Sequence, residues 1–243
     1  MKKIFILILI TVFANCKSTK EEENFTKASE TTKYNSDVDI KQFIPKGYIL
    51  NNINDENYIK GDLNNDGKED IVFLVKNTDK SKIIEHESRG ILDRNRRGII
   101  ILFNERDSYK IAAKNLNCFT SEFEDGGVYY DSELLLYIEN GKLNIHYAAG
   151  RYGYNTYQFK YQNNDFNLVE FIENSSNGPV TDTHLLYDFV KMNKIVKINT
   201  NENAKDETEE VFDIKSYKLN ITKPFNLIDI IDFETFKSQL LEL

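Results

Sequence analysis

Oxygen-bearing side chains recur at alternate positions in residues 61–74, which read GDLNNDGKEDIVFL. Counted from the first aspartate, positions one, three, five and nine are Asp62, Asn64, Asp66 and Asp70. Gly67 occupies position six, where a calcium loop bends sharply, and Lys68 at position seven can contribute its backbone carbonyl. Ca²⁺ prefers six to eight oxygen ligands. The spacing therefore predicts that Asp62, Asn64, Asp66, Lys68 and Asp70 bind a Ca²⁺ ion with a structural role.

Two other interpretations of these residues bear on that prediction. An EF-hand loop needs a bidentate glutamate at position twelve, but that position is Phe73, so this class of site is excluded. Asx residues and glycine are also common in turns that hold no metal. Against a metal-free turn, Asp62, Asp66 and Asp70 would repel one another in a compact loop, and a divalent cation removes that cost.

The pattern D-x-N-x-D-G-x-x-D, followed directly by an apolar strand, resembles the calcium loops of FG-GAP and VCBS-type propeller blades, which are known from integrin-like proteins. The resemblance is strongest over about fifteen residues and extends loosely over 61–114. It implies that the loop joins two strands of one blade-like unit. The pattern occurs once in the chain, whereas a complete propeller would repeat it.

The elements around this loop are predicted to be strands. Residues 71–75 and 98–103 are short apolar runs typical of buried strands. Asn140 and Gly141 favour a two-residue hairpin turn because both accept positive φ. Further hairpins are predicted to turn at residues 163–165 and 192–194. We therefore expect a mainly-β fold, an antiparallel β-meander that is partly propeller-blade-like.

One helix is predicted, at the C-terminal end. Asp232 is a suitable N-cap, and one apolar stripe follows at helical spacing: Phe233, Phe236, Leu240 and Leu241. Residues 40–243, including this helix, show no internal repeat and no proline-rich linker. This part of the chain is therefore expected to form a single domain.

Two further segments are candidates for function. Tyrosine and arginine often anchor interfaces, so Arg151, Tyr152, Tyr154 and Tyr157 are predicted to bind a protein or glycan partner. The alternative for these aromatics is a place in half-buried strands. Residues 122–131 contain Glu122, Glu124, Asp125 and Asp131, and a carboxylate pair there could serve a periplasmic or cell-surface hydrolase.

Catalytic signatures are otherwise missing from the sequence. The histidines His86, His146 and His184 are scattered, and the chain has no H-E-x-x-H, no G-x-S-x-G and no phosphate-binding glycine loop. Cys118 stands between apolar residues and is predicted to be a buried core residue. A non-catalytic binding or inhibitory module is therefore preferred to an enzyme.

The N-terminus indicates the compartment. The chain has a basic start followed by eleven mostly apolar residues, 4–14, and this apolar run is too short to span a bilayer. The combination is typical of a signal peptide, which we predict to be residues 1–15. Residues 13–16 read FANC and resemble a bacterial lipobox, which implies lipid attachment at Cys16. Lys17 favours the outer membrane, with the domain facing the periplasm or the exterior. Residues 16–39 are polar and are predicted to be a flexible tether.

Charge and overall similarity agree with an envelope protein. The net charge of −8 disfavours binding to nucleic acid. Over most of residues 40–222 the chain resembles a family of small, functionally uncharacterised lipoproteins of Bacteroidota, through segments such as GDLNNDGKEDIVFLVKN and HYAAGRYGYNTYQFKYQ. This resemblance implies a compartment and one calcium loop, but no activity.

Overall fold

The computed structural model describes residues 39–106, 108–121 and 133–243. The signal peptide, Cys16, nearly all of the tether and residues 122–131 lie outside the described residues. The strands are, in chain order, β1 (Tyr48–Asn51), β2 (Ile59–Gly61), β3 (Asp70–Asn77), β4 (Ile83–His86), β5 (Gly90–Asp93), β6 (Arg97–Asn104), β7 (Tyr109–Phe119), β8 (Glu133–Glu139), β9 (Lys142–Ala148), β10 (Gly153–Gln162), β11 (Asp165–Asn177), β12 (Val180–Asp188), β13 (Asn193–Asn199) and β14 (Phe212–Lys218).

These strands form two main sheets and one small hairpin, all antiparallel. In the first sheet β3 pairs with β6, and β6 pairs with β7. β2 pairs with the first residues of β3, and β1 pairs with its last residues. In the second sheet the seven strands β8 to β14 pair in chain order as one meander. The expected mainly-β antiparallel fold with a short C-terminal helix is confirmed.

The turns follow from residues that tolerate positive φ. Asn140 and Gly141 have φ values of 51° and 69° between β8 and β9, and Asn163 and Asn164 have 55° and 64° between β10 and β11. The third turn occupies residues 189–192, earlier in the chain than the predicted 192–194. β13 already begins at Asn193, because the side chain of Asp188 accepts hydrogen bonds from the amides of Val190 and Lys191 and ends β12 there.

The only α-helix among the described residues, α1 (Phe233–Leu241), begins at the predicted cap. The carboxylate of Asp232 accepts a hydrogen bond from the Thr235 amide at 2.9 Å. Phe233, Phe236 and Leu240 are buried, but Leu241 is exposed, so the predicted apolar stripe is one residue too wide. Five short 3₁₀ helices complete the described elements: Ile40–Phe43, Lys80–Lys82, Gly150–Tyr152, Glu207–Glu209 and Leu227–Asp229.

A single hydrophobic core connects the two sheets and α1. The central strands β3 and β6 are buried almost throughout, as their continuous apolar runs predicted. Residues of both sheets meet the helix at Phe233, whose ring stacks on Phe119 at 5.1 Å and lies 4.9 Å from Tyr157. Residues 39–243 accordingly form one compact unit. No helix in the described ranges combines the length and apolarity required to cross a bilayer.

Candidate metal centre

The loop that carries the predicted calcium ligands joins β2 to β3 in the first sheet. It closes where Gly61 pairs with Asp70. Asn65 and Gly67 take left-handed conformations, with φ values of 60° and 82°, and so turn the chain twice within a few residues. The loop also lies against the turn between β8 and β9. Asn65 Oδ1 is so near Gly141 of that turn that a Cβ atom, had Gly141 one, would be 3.1 Å from it.

Side-chain oxygens in the first half of the loop converge on its own backbone. Asp62 accepts hydrogen bonds from the amides of Asp66, at 3.2 Å, and Gly67, at 2.8 Å. Asn64 Oδ1 accepts a hydrogen bond from the same Asp66 amide at 2.9 Å. Oxygens of Asp62 and Asn64 are therefore both within 3.2 Å of one nitrogen, which brings two predicted ligands together.

Lys68 has a contact that the sequence did not predict. Its Nζ atom forms a 2.7 Å ion pair with Asp66 Oδ2 and also donates to the backbone carbonyl of Asn104 at 3.2 Å. Hydrogen bonding from the Lys68 side chain lowers the pKa of the Asp66 carboxyl. The calcium prediction uses only the backbone carbonyl of Lys68, whereas its ammonium group compensates the charge of one of the three aspartates.

Asp70 is fully buried, with an exposed fraction of 0%. Its oxygens accept hydrogen bonds from the amides of Leu63, at 2.9 Å, and Asn104, at 3.0 Å. Burial raises the pKa of Asp70, and the negative charges of Asp66 and Asp62 raise it further. Within the part of the chain that is described, no basic side chain forms an ion pair with Asp70. The buried carboxylate is therefore held by amide dipoles in a field of like charge.

The loop offers carboxylate, amide and carbonyl oxygens, which are the kinds of ligand that Ca²⁺ binds. Within the described ranges, no group of three or more His, Cys, Asp and Glu side chains is arranged to hold a metal ion. The predicted set also includes the Asn64 amide oxygen and the Lys68 carbonyl, which are common calcium ligands. A carboxylate oxygen that accepts one hydrogen bond keeps a further lone pair. The residues are thus of the type that Ca²⁺ prefers, although their hydrogen bonds also connect the loop in the absence of an ion.

The residues of the predicted partner surface are separated by the fold. Arg151 and Tyr152 lie in the 3₁₀ helix before β10, and Tyr154 lies near the start of β10; both tyrosines are exposed. Arg151 donates to the Tyr152 hydroxyl at 2.9 Å and lies 5.0 Å from the centre of its ring. The prediction is wrong for Tyr157, which is 1% exposed and packs in the core against Phe171 and Phe233.

The alternation of side chains along a strand predicts that Tyr154 and Tyr157 lie on opposite faces. Side chains three residues apart in a strand point to opposite faces. Tyr154 and Tyr157 are both in β10, so they cannot share a surface. The four carboxylates of the alternative hydrolase site lie outside the described residues. Cys118 is buried as predicted, and burial raises the pKa of its thiol well above its usual range.

Comparisons with known proteins add no family to this description. The chain matches no family model, and neither a curated protein nor a solved structure shows significant similarity to it.

Proposed function

We propose that this protein is a lipoprotein anchored in the bacterial outer membrane, and that its β domain acts as a non-catalytic binding or inhibitory module. Cys16 carries the lipid, and the polar segment after it is a tether. A Ca²⁺ ion bound by Asp62, Asn64, Asp66, Asp70 and the Lys68 carbonyl stiffens the domain. The partner is a protein or a glycan, in keeping with the FG-GAP-like loop and with the resemblance to lipoproteins of Bacteroidota.

The observation that carries this proposal is the preorganised arginine–tyrosine pair. Tyr152 is 50% exposed, yet its ring and hydroxyl are both held by Arg151. Aromatic and arginine side chains that are fixed before binding lose little conformational entropy when a partner arrives. Tyr154 is exposed two residues further along, so Arg151, Tyr152 and Tyr154 form the proposed binding surface.

The loop supports the calcium part of the proposal through the position of Asp70. Burial and the negative charges of Asp66 and Asp62 oppose ionisation of Asp70, and a divalent cation at the loop would offset this cost. The loop contacts the turn between β8 and β9, so an ion there would strengthen the junction between the first and second sheets. The binding surface is built on β10 of the same second sheet.

A capture experiment tests the proposal. The full chain is immobilised and exposed to an envelope extract of the producing cells, with Ca²⁺ or with EGTA. We expect wild type to retain one defined partner in Ca²⁺, and the double variant R151A/Y152A to lose it. The control is Tyr217→Ala, which removes a tyrosine of β14 that is also 50% exposed but lies four strands away from β10 in the second sheet, and it should retain the partner. Equal capture by wild type and R151A/Y152A would contradict the proposed surface, and retention in EGTA would contradict the role of calcium.

A further inference from the structure

The outer edge of the second sheet is a strand with unpaired backbone groups. Among the described residues, β14 pairs only with β13, in a register that runs without a bulge from Lys218 opposite Asn193 to Phe212 opposite Asn199. The strand contains no proline. Edge strands offer unpaired backbone groups to other strands, and proteins commonly block them with bulges, prolines or charges. β14 lacks the first two of these devices.

The hydrogen bonds at its two ends show which residues have free backbone groups. Thr200 N donates to Val211 O at 2.7 Å, and Leu219 N donates to Met192 O at 2.9 Å. In an antiparallel pair, residues alternate between bonding to the neighbour and pointing away from it. Odd-numbered residues of β14 therefore bond to β13. The N–H and C=O groups of the even-numbered residues point outward from the sheet: Phe212, Ile214, Ser216 and Lys218.

The sequence of β14 is complementary to itself about Ile214. If two copies pair in antiparallel fashion with Ile214 opposite Ile214, Asp213 of each copy faces Lys215 of the other. In the same register Val211 faces Tyr217 and Phe212 faces Ser216. Moving the centre by one residue places Lys215 opposite Lys215, or Asp213 opposite Asp213, and like charges directly opposite are destabilising. The charges thus favour the register centred on Ile214 over the two registers next to it.

The exposure of these side chains fits the same pairing. Ile214 is 59% exposed, and Val211 and Tyr217 are also largely exposed. Asp213 and Lys215 form a 2.8 Å ion pair within the strand. Two strands centred on Ile214 would align four charges of alternating sign on one face and bring the two Ile214 side chains together on the other. In this register Lys215 faces Asp213 and Lys218 faces Glu210, so both lysines of this edge are matched by acidic residues.

We propose that two copies of this chain associate through antiparallel pairing of their β14 strands about Ile214. The second sheets of the two copies then form one continuous sheet across a two-fold axis. A single short strand on each side contributes less than the roughly 800 Å² per partner found in stable interfaces. The dimer is therefore weak and depends on concentration. This interaction surface is separate from the binding surface at Arg151, and neither proposal requires the other.

Sedimentation equilibrium of the full chain over a wide range of concentrations tests the proposal. Wild type should dimerise reversibly. Asp213→Lys and Lys215→Asp should each raise the dissociation constant by about tenfold or more, because each places two pairs of like charges across the axis. An equimolar mixture of these two variants should recover a dimer, since every facing pair then has opposite charges again.

Matched controls separate this effect from a change in net charge. Glu105→Lys and Lys110→Asp alter an exposed ion pair outside β14 in the same sense, and should leave dimerisation unchanged. Ile214→Pro removes an outward N–H without removing a hydrogen bond to β13, so it should abolish the dimer while the far-UV circular dichroism is preserved. A monomeric wild type at every concentration would overturn the proposal. So would folded charge variants that dimerise like wild type, or a mixture that stays monomeric.

Discussion

At the scale of single residues, the three loop aspartates differ in how their charges are compensated. Asp66 has the ammonium group of Lys68, whereas Asp62 and Asp70 accept only backbone amide hydrogen bonds among the contacts described for them. Amide hydrogen bonds leave the net negative charge of a carboxylate in place, whereas an ammonium group neutralises it. Asp62 and Asp70 are thus the residues whose energetics a bound ion would change most.

This difference leads to a prediction for Asp62. With a dissociation constant of about 10⁻⁴ to 10⁻³ M, about 5 mM Ca²⁺ should raise the free energy of unfolding of wild type by roughly 1 to 2 kcal/mol. Asp62→Asn should lose most of this gain, because it removes a charged ligand but keeps one acceptor oxygen. Urea unfolding with Ca²⁺ or with EGTA measures both values. Asp182→Asn, an exposed site in β12, should keep the full gain. An unchanged wild type would disprove calcium binding at the loop.

At the scale of elements, α1 depends on its first residues. Burial opposes ionisation of Asp232, but the hydrogen bond from the Thr235 amide and the ion pair with Arg96 outweigh it, so the pKa of Asp232 is lowered from its usual 3.8. A carboxyl whose pKa is lower in the folded state stabilises the fold above its unfolded pKa. That contribution is lost as the pH falls through the folded pKa.

Asp232→Ala should therefore lower the free energy of unfolding by about 1 to 2 kcal/mol at neutral pH, through loss of the cap and of a partly exposed ion pair. The difference from wild type should shrink as the pH falls below 3.8, where the unfolded and then the folded carboxyl become protonated. Chemical denaturation at neutral and acidic pH measures it. Asp229→Ala, an exposed aspartate of the preceding 3₁₀ helix, should show a much smaller effect. A difference that is constant with pH would exclude the ionised cap as its cause.

Local chemistry explains which elements could be predicted from the sequence. The turns at Asn140 and at Asn163 follow from positive φ, and the start of α1 from a capping aspartate, since each depends on neighbouring residues alone. The contacts of Asp70 could not be predicted, because Asn104 is 34 residues away and meets Asp70 only through the pairing of β3 with β6. Likewise, periodicity separates Tyr154 from Tyr157 but does not say which face the first sheet and α1 cover.

At the scale of the whole molecule, Phe233 connects three parts of the fold. Its ring stacks on Phe119 of the first sheet and touches Tyr157 of the second, while its backbone begins α1. The Tyr157 hydroxyl also donates to the Phe233 carbonyl at 3.3 Å. Because these contacts share one core, neither sheet can lose its packing without exposing the apolar face of the other.

We therefore expect residues 39–243 to unfold in one cooperative transition, with far-UV circular dichroism and tyrosine fluorescence changing together in the full chain. Phe233→Ala should lower the free energy of unfolding by about 3 to 5 kcal/mol and move both signals equally, since the cavity opens where both sheets meet the helix. Tyr137→Ala, at an exposed position of β8, is the matched aromatic control and should cost far less. Two separated transitions, in wild type or in Phe233→Ala, would mean that the sheets are stabilised independently and that a change at the loop between β2 and β3 need not reach the proposed binding surface.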